Sequence, residues 1–172
     1  GEKSEEKRNK MLEDLGMTCI FSAEWDKAFE YFNKLLSAAK ASNEKGEVSR
    51  YLLRLGFIHQ ERSEFDQALN YYESALEAAE ESKDPRAIGE ASNRIGSIYW
   101  YKGNYEQASQ YLEKAIEFAL KAEDKKILGS AHIDLGNIHS DSHELQEAIA
   151  HYQNALDYLK DTNEVYEISR AY

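Results

Sequence analysis

The chain has 172 residues, of which 42% are apolar and 12% aromatic, with 12 tyrosines, one proline and one cysteine. That composition excludes a disordered chain, and the lone cysteine, Cys19, excludes an intrachain disulfide. A net charge of −11 and a pI near 5.0 argue against nucleic-acid or anionic-lipid partners, both of which call for a basic surface.

The length suits one domain or a short repeat array, enough to bury about 70% of the unfolded surface. No stretch approaches the roughly 18 consecutive apolar residues of a membrane span. The segment from Gly1 to Arg8 is charged and lacks the apolar core of a signal peptide, and Gly1 in place of methionine reads as a cleaved tag or an excised fragment. Cys19 fits a reducing compartment, and the expected location is cytoplasmic.

Helical periodicity runs along the chain and no strand pattern competes with it. In chain order the predicted helices lie near 4–21, 25–41, 44–61, 65–82, 85–102, 105–122, 125–140, 144–160 and 164–172. Asp84-Pro85 reads as an N-cap followed by proline at the first helical position, and Asn43, Asp124 and Asn163 stand in comparable places. Gly103-Asn104 reads as the turn between two helices. Beyond it Tyr105, Ala108, Leu112, Ala115, Ile116 and Ala119 form one helix face.

An internal period organises these elements. Gly16, Gly56, Gly96 and Gly136 lie 40 residues apart, preceded by Leu15, Leu55, Ile95 and Leu135. Ala28, Ala68, Ala108 and Ala148 follow 12 residues after each glycine, and Phe32, Tyr72, Leu112 and Tyr152 come next. Each unit is therefore an antiparallel helix pair. Glycine in a helix interior costs roughly 1 kcal/mol relative to alanine. Its return in every copy, opposite a recurrent alanine, points to a close approach of the two backbones.

The stretch "RIGSIYWYKGNYEQASQYLEKAIEFA", residues 94–119, resembles the tetratricopeptide repeat (TPR) family, with Leu/Ile-Gly, an aromatic, Ala, an aromatic and Ala across two helices. The 40-residue period resembles the extended subclass of Pins/LGN-type and rapsyn-type scaffolds. The resemblance implies an all-α fold, a right-handed α-α superhelix (TPR solenoid) of antiparallel helix pairs. It covers one array, 1–172, with units at about 4–43, 44–83, 84–123 and 124–163 and a partial fifth unit or cap at 164–172. Tyr172 stops short of the next expected glycine, and the preferred reading is a fragment of a longer array. The family pattern is broken where Ser92 and His132 take the place of Leu12 and Leu52, and where Lys40, Glu80, Leu120 and Lys160 replace the usual proline.

By the same resemblance the first helix of each unit lines a concave groove. The residues singled out there are Arg50, Arg54, Phe57, Asn93, Arg94, Trp100, Tyr101 and Asn137. Arginine can grip a carboxylate with two parallel hydrogen bonds, and Trp and Arg are frequent binding hot spots. Asn93 and Asn137 can pair with the backbone of an extended peptide. The alternative is that the arginines pair with neighbouring glutamates such as Glu90 and that the aromatics pack between helices. Places that would form a carboxylate clamp for chaperone tails carry Glu13, Met17, Arg54, Glu90 and Arg94; only Arg94 fits, so that ligand is not expected.

Other chemistry finds little footing. Cys19, His59, Tyr99 and His139 share one repeat position, three after the glycine, which reads as packing. His132, His139 and His143 with Asp141 could gather near one turn, but no metal-ligand spacing supports a metal site. No phosphate loop or serine elbow occurs, and neither an enzyme nor a cofactor is expected. The expected function is a non-catalytic protein–protein interaction module holding an acidic or extended peptide segment, or a helix, of a partner. The alternatives are an end-to-end self-assembly module and the sensor region of a larger regulator.

Overall fold

A computed structural model of the chain describes residues 2–160. Eight α-helices occur among the described residues: α1 (Glu2–Phe21), α2 (Trp25–Ala41), α3 (Lys45–Glu61), α4 (Phe65–Ser82), α5 (Pro85–Tyr101), α6 (Tyr105–Lys121), α7 (Lys125–Asp141) and α8 (Leu145–Leu159). Each lies within two residues of its predicted bounds. The ninth predicted helix, 164–172, and the Asn163 cap lie outside the described residues. Two compact units result, Gly1–Ser82 with α1–α4 and Lys83–Tyr172 with α5–α8. Within each, first and second helices pair as α1/α2, α3/α4, α5/α6 and α7/α8, while α2 also packs on α3 and α6 on α7.

One turn is used throughout. Ala23, Asn43, Ser63, Lys83, Gly103, Glu123 and His143 all adopt left-handed backbone, with φ between 53° and 73°, and they fall 20 residues apart. The helix C-termini close on them in Schellman fashion: Glu24 N donates to Cys19 O at 2.8 Å and Ala23 N to Ile20 O at 3.1 Å. The same pair of bonds recurs at Asn104 and Gly103, on Tyr99 O at 2.9 Å and Trp100 O at 2.8 Å.

The residue after each left-handed position is acidic or an amide and opens the next helix. Asp84 accepts from Arg86 N, Asn104 from Gln107 N, and Asp124 from Lys126 N and Ile127 N. Asn43 does not take the N-cap place expected of it. It is the left-handed residue that ends α2, a conformation asparagine tolerates, and Glu44 opens α3 without a side-chain cap.

The glycine of each first helix is required by a side chain. A Cβ at Gly56 would stand 2.5 Å from Tyr72 Cε1, and one at Gly136 2.5 Å from Tyr152 Cε1. Phe32 and Leu112 lie over Gly16 and Gly96 in the same way. The expected backbone approach is met only in part, since it is the large residue 16 positions on that fills the space. The buried alanines Ala28, Ala68, Ala108 and Ala148 then let the second helix close. The core of the first unit centres on Phe32, Leu35, Leu55, Ile58 and Tyr72, and that of the second on Ile95, Ile98, Leu112, Ile133 and Leu159.

Candidate binding faces on the first helices

In the first unit the expected residues lie along α3. Arg50, Arg54 and Phe57 are half-buried at a spacing that puts them on one helix face. The Arg50 guanidinium donates to Glu13 of α1 and to Glu47, donates to Tyr51 Oη at 3.0 Å, and lies 4.8 Å from the Tyr51 ring centroid. Burial works against its charge, but the hydrogen bond to Glu47 and the fields of Glu47 and Glu13 push its pKa further up. Burial likewise raises the Tyr51 hydroxyl far above the ordinary range. Arg50 is thus held by neighbouring glutamates, Glu13 and Glu47. Arg54 makes no hydrogen bond or ion pair among the described residues.

A cavity of about 480 Å³ opens beside Arg50, with Leu35, Ala38 and Ala39 on its floor and Glu6, Lys10 and Glu44 at its rim. Its origin is legible in the repeat. Seven residues before the glycine, Gly129 leaves no room for a Cβ against Leu159, a Cβ at Gly89 would press on Ala119 N at 3.3 Å, and Ser49 Oγ donates to Ala75 O at 2.8 Å. In α1 that place is Asn9, whose Oδ1 is buried without a partner among the described residues. Asn9 lines the cavity together with Leu35, Ala38 and Ala39 of α2.

In the second unit Asn93, Arg94, Trp100 and Tyr101 lie on α5 and Asn137 on α7. Asn93 is 7% exposed; its Nδ2 donates to Ser130 Oγ at 3.1 Å, and its Oδ1 has no partner among the described residues. Arg94 is half-buried. Trp100 Nε1 donates to Asp141 Oδ2 at 2.9 Å and Tyr105 Oη to the same oxygen at 3.3 Å, so the indole is fixed rather than free. The Tyr101 ring leans on Trp100, 4.9 Å between centroids, and is exposed. Asn137 Oδ1 accepts from Tyr152 Oη at 2.9 Å, so it differs from Asn93 in already having a partner.

Reasoning from residue type passed over the groups that organise these faces. Glu13 and Glu47 hold Arg50, Asp141 holds Trp100, and the buried Asp134 meets the Ser97 hydroxyl. All but Glu47 occupy first-helix positions whose spacing marks them as inward-facing, and that spacing was the available signal.

The position three after the glycine, Cys19 in the first copy, builds a ring stack with the second helix in the other three. His59 lies on Tyr71, Tyr99 on Tyr111 and His139 on His151, with centroids 5.2, 5.7 and 5.2 Å apart. In α7/α8 the column continues through His132 to Tyr158. His132 therefore meets His151 and not His143, which occupies the exposed turn before α8.

The profile of the tetratricopeptide repeat family matches residues 8–81 and 87–161. No curated protein matches the chain. Among solved structures, BtubC (BKLC) from P. vanneervenii is similar, with 19% identity and a TM-score of 0.75 over 92% of this chain and 65% of that one. The apo form of RapI is similar at 17% identity and a TM-score of 0.82, over 92% of this chain and 58% of that one. The chain thus spans less than two thirds of the length of either structure, and likeness at these identities shows the fold alone. No described helix is long and apolar enough to cross a membrane. Tetratricopeptide repeats generally mediate protein–protein interactions and are typically non-catalytic, and this chain belongs to the tetratricopeptide repeat family.

Proposed function

We propose that the chain is a non-catalytic protein-interaction module that takes an extended, acidic peptide segment on its first-helix faces. The observation that carries the proposal is the buried Asn93 side-chain carbonyl, which has no partner among the described residues. An unsatisfied buried acceptor costs about 1–3 kcal/mol, and a peptide N–H placed against it would recover that loss. Arg94 stands beside it in sequence on the same helix, and Tyr101 offers an exposed ring for an apolar contact. In the first unit the carboxylate contact falls to Arg54, with Phe57 one turn on. Arg50 shares that face, but a ligand would have to displace Glu13 and Glu47 to reach it. The single buried thiol of Cys19 suits a reducing compartment such as the cytoplasm.

The test is selection of peptides from a random display library on the 172-residue chain. Titration calorimetry of the winners would follow, on the chain and on Arg54→Glu and Asn93→Ala variants of unchanged helicity. Acidic winners are expected, each weakened at least tenfold by the variant in the unit that binds it. Winners without acidic residues, or winners bound equally by all three proteins, would sink the proposal.

A further inference from the structure

The repeat covers its own helix faces in a regular way, and among the described residues two faces lack that cover. In α3, Tyr51 and Leu55 are 5% and 0% exposed. Their counterparts in α7, Ala131 and Leu135, are 0% and 4% exposed. In both cases the preceding second helix, α2 or α6, packs on the first helix. The same two positions in α1 are Met11 and Leu15, and these are 64% and 41% exposed. The α2 face that covers α3 can be read residue by residue. Phe29 meets the His59 ring edge-on at 5.5 Å, Phe32 meets the Tyr51 ring at 6.4 Å, and Leu36 is buried beside them. Three periods of 40 residues carry Phe29, Phe32 and Leu36 to Ile149, Tyr152 and Leu156 of α8, and Trp25 to Leu145. Leu145 and Ile149 are 63% and 55% exposed.

The geometry points to a second copy of the same chain as the occupant: the outer face of α8 docks on the outer face of α1 of the next copy. The chain carries both halves of a contact it already makes within itself, α2 on α3 and α6 on α7, in matching register. Ile149 then falls against the Cys19 end of α1, and Leu156 against Met11. Such a contact is head to tail, so it adds copies in a row and does not close on itself as a two-fold dimer would. The exposed apolar patch at each end is small, so the association is weak. Each copy carries a net charge of −11, so added salt strengthens the association by screening the repulsion.

The test is sedimentation equilibrium of the 172-residue chain over a range of concentrations, at low and high salt, with reductant present so that Cys19 cannot link copies. The average mass is expected to rise with concentration, and to rise further with salt. Two variants block one end each: Met11→Glu/Leu15→Glu at the head and Leu145→Glu/Ile149→Glu at the tail. The altered side chains are exposed, and circular dichroism checks that helicity is kept. Each variant alone is expected to stay monomeric, while an equimolar mixture forms a dimer and nothing larger, because one free tail meets one free head. A mass that stays monomeric at every concentration overturns the inference. So does the outcome expected of a two-fold contact through one face, in which one variant alone abolishes assembly and the other leaves it unchanged.

Discussion

The Nδ1 atoms of His132 and His151 lie 2.9 Å apart, so one ring donates to the other and the accepting ring is neutral. Burial, and after it the neighbouring imidazole, holds His132 well below its ordinary value, at about 4, and burial lowers His151 as well. The unfolded chain, with histidine near about 6.5, therefore takes up protons that the folded chain refuses. Stability is full above about pH 6.5 and falls as the pH drops toward 4. The His132 part of that loss is about 2 kcal/mol by pH 5. Urea unfolding at about pH 7 and pH 5 measures it. His132→Gln is expected to lose that share of the acid sensitivity, and equal pH dependence in both proteins would refute the assignment.

Two glycine-to-alanine changes in α3 should move stability in opposite directions. At Gly56 the new methyl meets the Tyr72 ring, which is fully buried and tied by its hydroxyl to Gln60 Oε1 at 2.7 Å. Overpacking of about 1–3 kcal/mol exceeds the helix-propensity gain of about 1, so Gly56→Ala destabilises. Nothing lies within 4 Å of a Cβ at Gly46, and Gly46→Ala stabilises by up to about 1 kcal/mol. Denaturant midpoints of both variants decide the matter.

The shared turn predicts a second opposed pair. Ser63 adopts φ 59° and Gly103 φ 73°. Relief of the left-handed backbone makes Ser63→Gly more stable by up to about 1 kcal/mol, and Gly103→Ala less stable by a similar amount. Thermal melts that rank the variants the other way would contradict the turn assignment.

Asp124 caps α7 through Lys126 N and Ile127 N, each at 3.1 Å, and accepts from Arg86 Nε at 2.8 Å. Burial opposes its charge, but Arg86 and these backbone bonds outweigh burial and hold its carboxyl below the usual range. Asp124→Ala should cost about 1–2 kcal/mol and Asp124→Asn less, since the amide oxygen can still cap. The stabilisation belongs to the ionised form, so it is present above about pH 4 and is lost as the pH falls further. An Asn variant as weak as the Ala variant would show that the charge, not the cap, matters.

How much of this was legible in advance follows from what the sequence signals are made of. Helix positions were readable because 3.6-residue periodicity and the Gly-to-Ala spacing are both properties of single residues. The turn was readable only at Gly103-Asn104. Six of the seven left-handed positions carry Ala, Asn, Ser, Lys, Glu or His, and the tertiary packing of adjacent helices imposes the conformation there despite its cost. The steady signal was one place later, in the Glu, Asp or Asn that follows every such residue. The candidate binding face was legible as a set of positions but not as a set of free groups. Arg50 reads as an available cation until Glu13, 37 residues away, is seen to hold it. That pairing depends on how α2 sets α1 and α3 side by side, which local patterns do not encode.

Asn9 gives the first unit a soft end. There a cavity lies between α1 and Leu35, Ala38 and Ala39 of α2. Local opening there requires little buried area to be exposed, so deuterium should enter the first turns of α1 well before it enters the other first helices. Because α1/α2 and α3/α4 lean on each other through α2 and α3, unravelling of the first unit should begin at α1 and pass to α2, in place of one concerted loss.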